Sequence, residues 1–315
     1  MRSMVTKKDK KVKVKKPWTQ DRVERTFNRT LYLMLLYIIV GGLSFVILYP
    51  YFVKIVTSFM MPVDLLDPTV QFIPRNPTTL IWQWTMSGMD LMVSYSTSFY
   101  IAGVTAVIQV LVSALVGYGF ARFKFPGRNI IFILTIFTML VPFTTVMLPY
   151  FLMFRFFNLH FVNINLINTI WPNVILSLTG LGLKNGLYIF LFRQYFRGVP
   201  RELEEAAHID GAGHLKTFFL VMLPNAKVCM LTVFLFSFCW QWTDITYATI
   251  FFPTHPTVVN ASLNVWRGVL HHHEVSLSSL MRNTGTLLVI IPLAVIYLSL
   301  QRFFIQGIER SGITS

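Results

Sequence analysis

The chain has 315 residues, of which 54% are apolar and only 13% charged, and its mean hydropathy is +0.59. Soluble domains carry about a quarter charged residues, so the composition excludes an ordinary soluble globule, and 29 Phe with 14 Met exclude a disordered chain. The net charge of +14 comes from 27 Lys and Arg against 13 Asp and Glu, and 11 of the basic residues precede residue 30.

The chain therefore reads as an all-α polytopic membrane protein. Residues 1–30 form a basic tail with Lys7, Lys8, Lys10, Lys11, Lys13, Lys15 and Lys16 in one run. No aromatic pattern interleaves it, so anionic lipid headgroups suit it better than nucleic acid. About 20 apolar residues cross a bilayer as a helix. The first such run is 31–53, which has no charge and no small-residue cleavage site after it, and it reads as an anchor rather than a signal peptide. An extracytoplasmic loop is expected over 54–97, rich in Pro, Asp and Trp. Further transmembrane helices are predicted at about 98–117, 130–151, 166–192, 228–251 and 284–300, six in all, followed by a short tail at 308–315. With the N-terminus inside, the inner flanks hold 21 basic residues and the outer flanks five. The excess of positive charge then puts both termini in the cytoplasm. Cys229 and Cys239 share one apolar stretch and read as small buried hydrophobes.

Polar residues inside spans are candidate functional groups. Thr144 and Thr145 lie between Pro142 and Pro149 and point to a broken third span, which is tolerated where it is buried or lines a cavity. Lys184 and Asn185 interrupt the fourth span, where they either face a translocation path or cap an unwound helix. The fifth carries Trp240-Gln241-Trp242-Thr243-Asp244. Indoles beside amide and carboxylate groups suit a sugar. The same residues also suit interhelical hydrogen bonding or an outer aromatic belt. His271-His272-His273-Glu274 lacks the additional ligands a metal needs and reads as a solvated outer loop. No Ser/His/Asp or paired-carboxylate constellation is visible, so neither an enzyme nor a metal site is expected.

The cytoplasmic stretch 196–224 is the most informative. Pro200 suits a first helical position. Glu202, Glu204 and Glu205 then stand in the first turns, where the helix N-terminus favours carboxylates. Ala206 and Ala207 favour helix and leave a shallow surface. Gly211 and Gly213 end the helix. A second short helix follows, with Leu215, Phe218, Phe219 and Met222 on one face, and Pro224 stops it. Such a helix either lies in another protein's groove or floats among headgroups. Gly211 to Thr217 differs from a phosphate-binding loop, because Leu215 stands where the glycine before the lysine is needed and no strand precedes it.

Glu205-Ala206-Ala207, Asp210-Gly211 and Leu223-Pro224 resemble the "EAA" loop of permease subunits in bacterial ABC importers. Gly117 to Arg128 (GYGFARFKFPGR), Phe192 to Phe196 and Gln301 to Gly307 are similar to the maltose-type smaller permease of the sugar branch. Val228 departs from that branch, which has Pro a few residues beyond Leu223-Pro224. The resemblance covers roughly residues 70 to 307. It implies a type I ABC importer permease fold, with residues 98–307 as its transmembrane core. In it a cytoplasmic coupling loop, carried by Glu205, Ala206, Ala207, Asp210, Gly211, Leu223 and Pro224, seats in an ATPase cleft. It also implies a second permease subunit, two ATP-binding-cassette ATPase subunits and an extracytoplasmic solute-binding protein, all at a bacterial inner membrane. No cofactor is expected on this chain, ATP and Mg being held by the ATPase. Two other readings remain open from the residues themselves: an ion-coupled secondary transporter, and a membrane scaffold with no transported solute.

Overall fold

The structure is a computed structural model. It describes the backbone of residues 20–159, 162–271 and 274–312, and the side chains of residues 27–158, 163–269 and 274–301. The run from Lys7 to Lys16, the side chains of His271 to His273 and the end of the expected C-terminal tail lie outside the described residues. The chain divides into two compact units between Val53 and Lys54.

Helix α1 (Gln20–Thr57) carries the first predicted span, and its 31 residues from Phe27 are long and apolar enough to cross a bilayer. The expected outer loop contains two helices, α2 (Pro62–Leu66) and α3 (Leu80–Gly88). Pro62 starts α2, and the Trp82 Nε1–H on α3 donates to Ser58 Oγ at 3.2 Å. Between the helices, Asp67 accepts hydrogen bonds from the Thr69 hydroxyl and backbone N–H and pairs with Arg75 at 2.9 Å. Those hydrogen bonds, with the Arg75 guanidinium, hold the Asp67 carboxyl below the usual carboxylate range.

Helix α4 (Leu91–Arg122) is the axis of the second unit. It buries Ser94, Ser98, Ala102, Thr105, Ala106, Gln109, Ser113, Ala114 and Gly117 along its length. Small residues on a membrane helix let other backbones come close, where dispersion and hydrogen bonds replace the missing hydrophobic drive. Gly117 marks the tightest approach: a Cβ there would stand 2.6 Å from Phe192 Cβ and 2.9 Å from the Arg193 backbone nitrogen.

Among the described residues, only α1, α4 and α15 (Val275–Gly312) cross a bilayer as single helices by length and apolarity. The other three predicted spans are each two pieces. The third is α5 (Arg128–Phe137) and α6 (Phe143–Arg155), parted at Pro142. Proline removes a donor and drives the residue before it out of helical conformation. A two-stranded antiparallel hairpin follows, β1 (Phe157–Leu159) on β2 (Val162–Ile164). The fourth is α7 (Trp171–Leu178) and α8 (Asn185–Gly198). Gly180, at φ +75°, closes α7 with a Schellman motif, Leu181 N–H to Leu176 O and Gly180 N–H to Ser177 O. At 1.5 Å per residue, α7 is about 12 Å and α8 about 21 Å long. Neither is long enough to cross the ~30 Å hydrocarbon alone.

The stretch expected to be cytoplasmic forms α9 (Glu202–Ile209), α10 (His214–Thr217), a π-helical turn (Phe218–Met222) and α11 (Leu223–Asn225). The fifth span is α12 (Lys227–Thr243) and α13 (Ile245–Phe251). Helix α14 (Val258–His271) covers the expected second outer segment. The segment His214–Asn225 meets α12 at 79°, so it runs crosswise to the span it precedes.

Candidate functional site

The stretch expected to couple to an ATPase is built on the C-terminal end of α4. Gly211 has φ +80° and closes α9 with a second Schellman motif, Ala212 N–H to Ala207 O and Gly211 N–H to His208 O. The predicted glycine bend is therefore a defined C-terminal cap. His208 Nδ1 lies 2.8 Å from Ala212 O, and the His208 and His214 rings meet edge to face at 4.9 Å. These contacts fix the angle between α9 and α10.

The coupling residues divide by side. Glu205, Ala206, Asp210, Gly211 and Pro224 face outward, Ala207 is buried, and Leu223 is half-buried against the apolar core. The single apolar stripe expected on the second helix is instead two rows. Phe218 and Met222 are buried, whereas Leu215 and Phe219 are 66% and 52% exposed. Residues four apart share a row on a helix, and the boundary between inside and outside runs between the two rows. The exposed row joins Leu203, Ile209 and Leu220, all open on the same short stretch. Underneath, Phe218 packs on Tyr118 and Phe196 at ring distances of 5.1 and 6.3 Å, and His214 on Phe123 at 5.3 Å.

A second group of polar residues gathers at the breaks in the spans. Lys184 has φ +61° and sits at the N-cap of α8. Its ammonium lies 4.9 Å from the centre of the Trp240 ring, over its face, and within electrostatic reach of Asp244. The Asp244 carboxylate accepts the Tyr247 N–H at 2.6 Å and caps α13. Asn185 is buried and donates to Ser113 Oγ on α4 at 3.4 Å. Gln241 accepts from Asn173 Nδ2 at 3.2 Å, and both border a cavity of about 20 Å³, room for one water molecule. Trp242 borders the same cavity with its side chain buried: it donates to Val289 O at 2.9 Å and packs edge-on against Phe99 at 4.7 Å. A large indole adjoining small α4 residues is better buried than hydrated, and its N–H has a carbonyl to satisfy it. Thr144 and Thr145 are exposed at the start of α6, with the Thr145 hydroxyl donating to Pro142 O at 2.7 Å.

Residues 109–310 match the family model described as "binding-protein-dependent transport system inner membrane component". The chain belongs to this family. It is a membrane-spanning permease of the ABC importer type. The permease is 26% identical over 278 residues to the arabinooligosaccharides transport system permease protein AraQ of Halalkalibacterium halodurans, covering 86% of this chain and 92% of that one. It is 25% identical over 290 residues to the galactooligosaccharides transport system permease protein GanQ of Bacillus subtilis, covering 90% and 96%. Among solved structures it shares its fold, at TM-score 0.66 and 21% identity, with a chain of a bacterial ABC transporter involved in the import of the acidic polysaccharide alginate. That likeness covers 91% of the permease and 99% of the other chain.

Two features of the permease lie beyond what residue patterns indicate. Gln109 on α4 is fully buried, donates to Leu183 O at 3.2 Å and accepts from the Ser237 hydroxyl on α12. It thereby ties three elements at the break in the fourth span. A lone amide in an apolar run marks such a position, but the partner of an amide is set by packing, not by spacing. The other feature is the ion pair of Arg122 with Glu204 at 3.0 Å. Spacing along the chain does not bring residues 122 and 204 together.

Proposed function

We propose that this chain is the permease subunit of an ATP-driven importer of a carbohydrate, an oligosaccharide or related sugar, delivered by an extracytoplasmic binding protein. The observation that carries the reading is the crosswise cytoplasmic helix. The segment His214–Asn225 lies at 79° to the span that follows and carries the exposed Leu215, Phe219 and Leu220, while α9 before it presents Glu205 and Ala206. An apolar row flanked by carboxylates suits a protein groove better than an anionic lipid surface. The sugar class is supported by oligosaccharide transport in the names of relatives that match most of the chain.

In this reading a second permease of similar fold completes the path, and two ATPase subunits dock on the coupling helices. ATP and its magnesium bind on those subunits. Helix α9, rather than a strand, leads into Gly211 to Thr217, and Leu215 fills the position a phosphate loop needs as glycine. The chain then performs no chemistry of its own. When the ATPase dimer closes, α9 to α11 move with it, and the broken spans switch the path between inward and outward opening. Glu205 meets a basic or polar group of the ATPase, with Asp210 and Gly211 setting the end of the helix beside it. Lys184, Asn185, Trp240, Gln241 and Asp244 are the candidate path side, with Thr144 and Thr145 across the broken third span. Trp242, which borders the cavity beside Gln241, belongs to the same side. Both termini are cytoplasmic, following the positive flanks. An ion-coupled transporter is less well supported, because the Asp244 carboxylate already serves as a helix cap.

Vesicles holding the assembled complex test the proposal. With ATP and Mg enclosed on the ATPase side and the binding protein on the other, they are expected to accumulate one of a panel of oligosaccharides. Uptake by this chain alone, driven by a proton or sodium gradient, would overturn it.

A further inference from the structure

We infer that Arg122 and Glu204 are a positioning pair that makes the coupling helix and α4 move as one body, so that span α4 carries the cytoplasmic motion into the membrane. The inference rests on the proposed ATPase docking.

Arg122 is the last residue of α4 and Glu204 stands in the first turn of α9. Their side chains are 7% and 14% exposed, and Nε lies 3.0 Å from Oε1. Of the three carboxylates at the start of α9, Glu202 and Glu205 are exposed and Glu204 alone turns inward. The Nε–H is not aimed along the contact, so the attraction is between charges and tolerates small shifts in angle. The same guanidinium donates through Nη2 to Val199 O at 2.6 Å, just past the end of α8. One side chain thus holds α4, α8 and α9.

The aromatic contacts extend the hold to the far side of the coupling helix. Tyr118, one turn before Arg122, packs on Phe196 at 5.5 Å and on Phe218 at 5.1 Å. Phe123, the next residue along, packs on His214. The end of α4 therefore grips the stretch before α9, α9 itself and α10. A buried charge that loses its partner is strongly disfavoured, so the pair resists separation while both helices are pushed. Helix α4 runs uninterrupted for 32 residues, about 48 Å, past the three broken spans. Motion applied at Glu204 reaches the membrane interior along it without a hinge.

The test uses the complete complex on a background with Cys229→Ser and Cys239→Ser. Spin labels go on cysteines replacing exposed Glu202 on α9 and exposed Tyr100 toward the outer end of α4. Their separation is measured by pulsed electron resonance without nucleotide and with ATP plus vanadate. The wild-type pair is expected to keep a single separation in both states. In Glu204→Gln, that separation is kept without nucleotide, and its population falls about tenfold with ATP plus vanadate. Glu204→Asp, which keeps the charge opposite Arg122, is expected to retain the single separation in both states. A purely structural role would alter the resting distance as well. A wild-type separation that changes with ATP, or a Glu204→Gln variant indistinguishable from wild type, would overturn the inference while leaving ATPase docking intact. A complex in which no ATPase is bound would overturn the docking itself.

Discussion

Gly211 shows how one residue sets the turn between α9 and α10. Its φ of +80° costs any side chain with a Cβ roughly 1–2 kcal/mol. Yet a Cβ there would meet no atom within 4 Å. The requirement is therefore for backbone conformation and not for space. Gly211→Asn, a residue that visits the left-handed region, is expected to keep uptake near normal. Gly211→Val is expected to reach the membrane in full amount while losing uptake per ATP hydrolysed. Measuring both against protein level checks this, and normal uptake by the Val variant would contradict it. The sequence identifies this bend because glycine after an Ala-rich acidic helix is a local signal. It does not identify the Schellman bonds to His208 and Ala207, nor the inward turn of Glu204, which depends on Arg122 more than 80 positions earlier.

At the scale of elements, the breaks in the spans are the main structural result. Gly182 lies inside the break between α7 and α8. A Cβ on it would stand 2.4 Å from Gln109 Nε2, 2.9 Å from Asn185 Oδ1 and 3.0 Å from Ser177 Oγ. Gly186, at the start of α8, would similarly press 2.7 Å from Thr135 O, next to the break in the third span. Two broken spans thus close on each other through glycines, with Gln109 holding the gap. Gly182→Ala is expected to lower the melting temperature of the purified complex, at a cost of about 1–3 kcal/mol for the overpacked site. Gly198→Ala, with nothing within 4 Å of its Cβ, is the control and should cost much less. Equal melting of the two variants would count against the close-packed break. Apolarity alone predicted six spans, whereas three of the described helices are long and apolar enough to cross singly, because an apolar run keeps its length when its helix is split. It did not reveal that 166–192 is two helices, although Lys184 and its neighbouring glycines marked the place. Trp242 was equally ambiguous: an indole beside Gln and Asp fits a sugar site, and the carbonyl of Val289, which decides its direction, is 47 positions away.

At the scale of the molecule, α4 joins the two regions that matter. Its N-terminal and middle parts supply the buried Ser98, which accepts from the Val258 N–H at the start of α14, and Gln109 and Ser113 at the break in the fourth span. Its C-terminal end supplies Tyr118, Arg122 and Phe123 to the proposed coupling surface. In the proposed mechanism α4 is the stiff element between the surface that the ATPase drives and the path. The proposed drive is an ATPase docked at α9. A gentle-detergent purification of the tagged chain from its native membrane, with mass identification of what co-elutes, tests it. A second permease and an ATP-binding-cassette ATPase are expected, with the ATPase lost when Glu205 and the exposed Leu215 and Phe219 are replaced together. A chain that elutes alone and still carries out uptake in vesicles would contradict it.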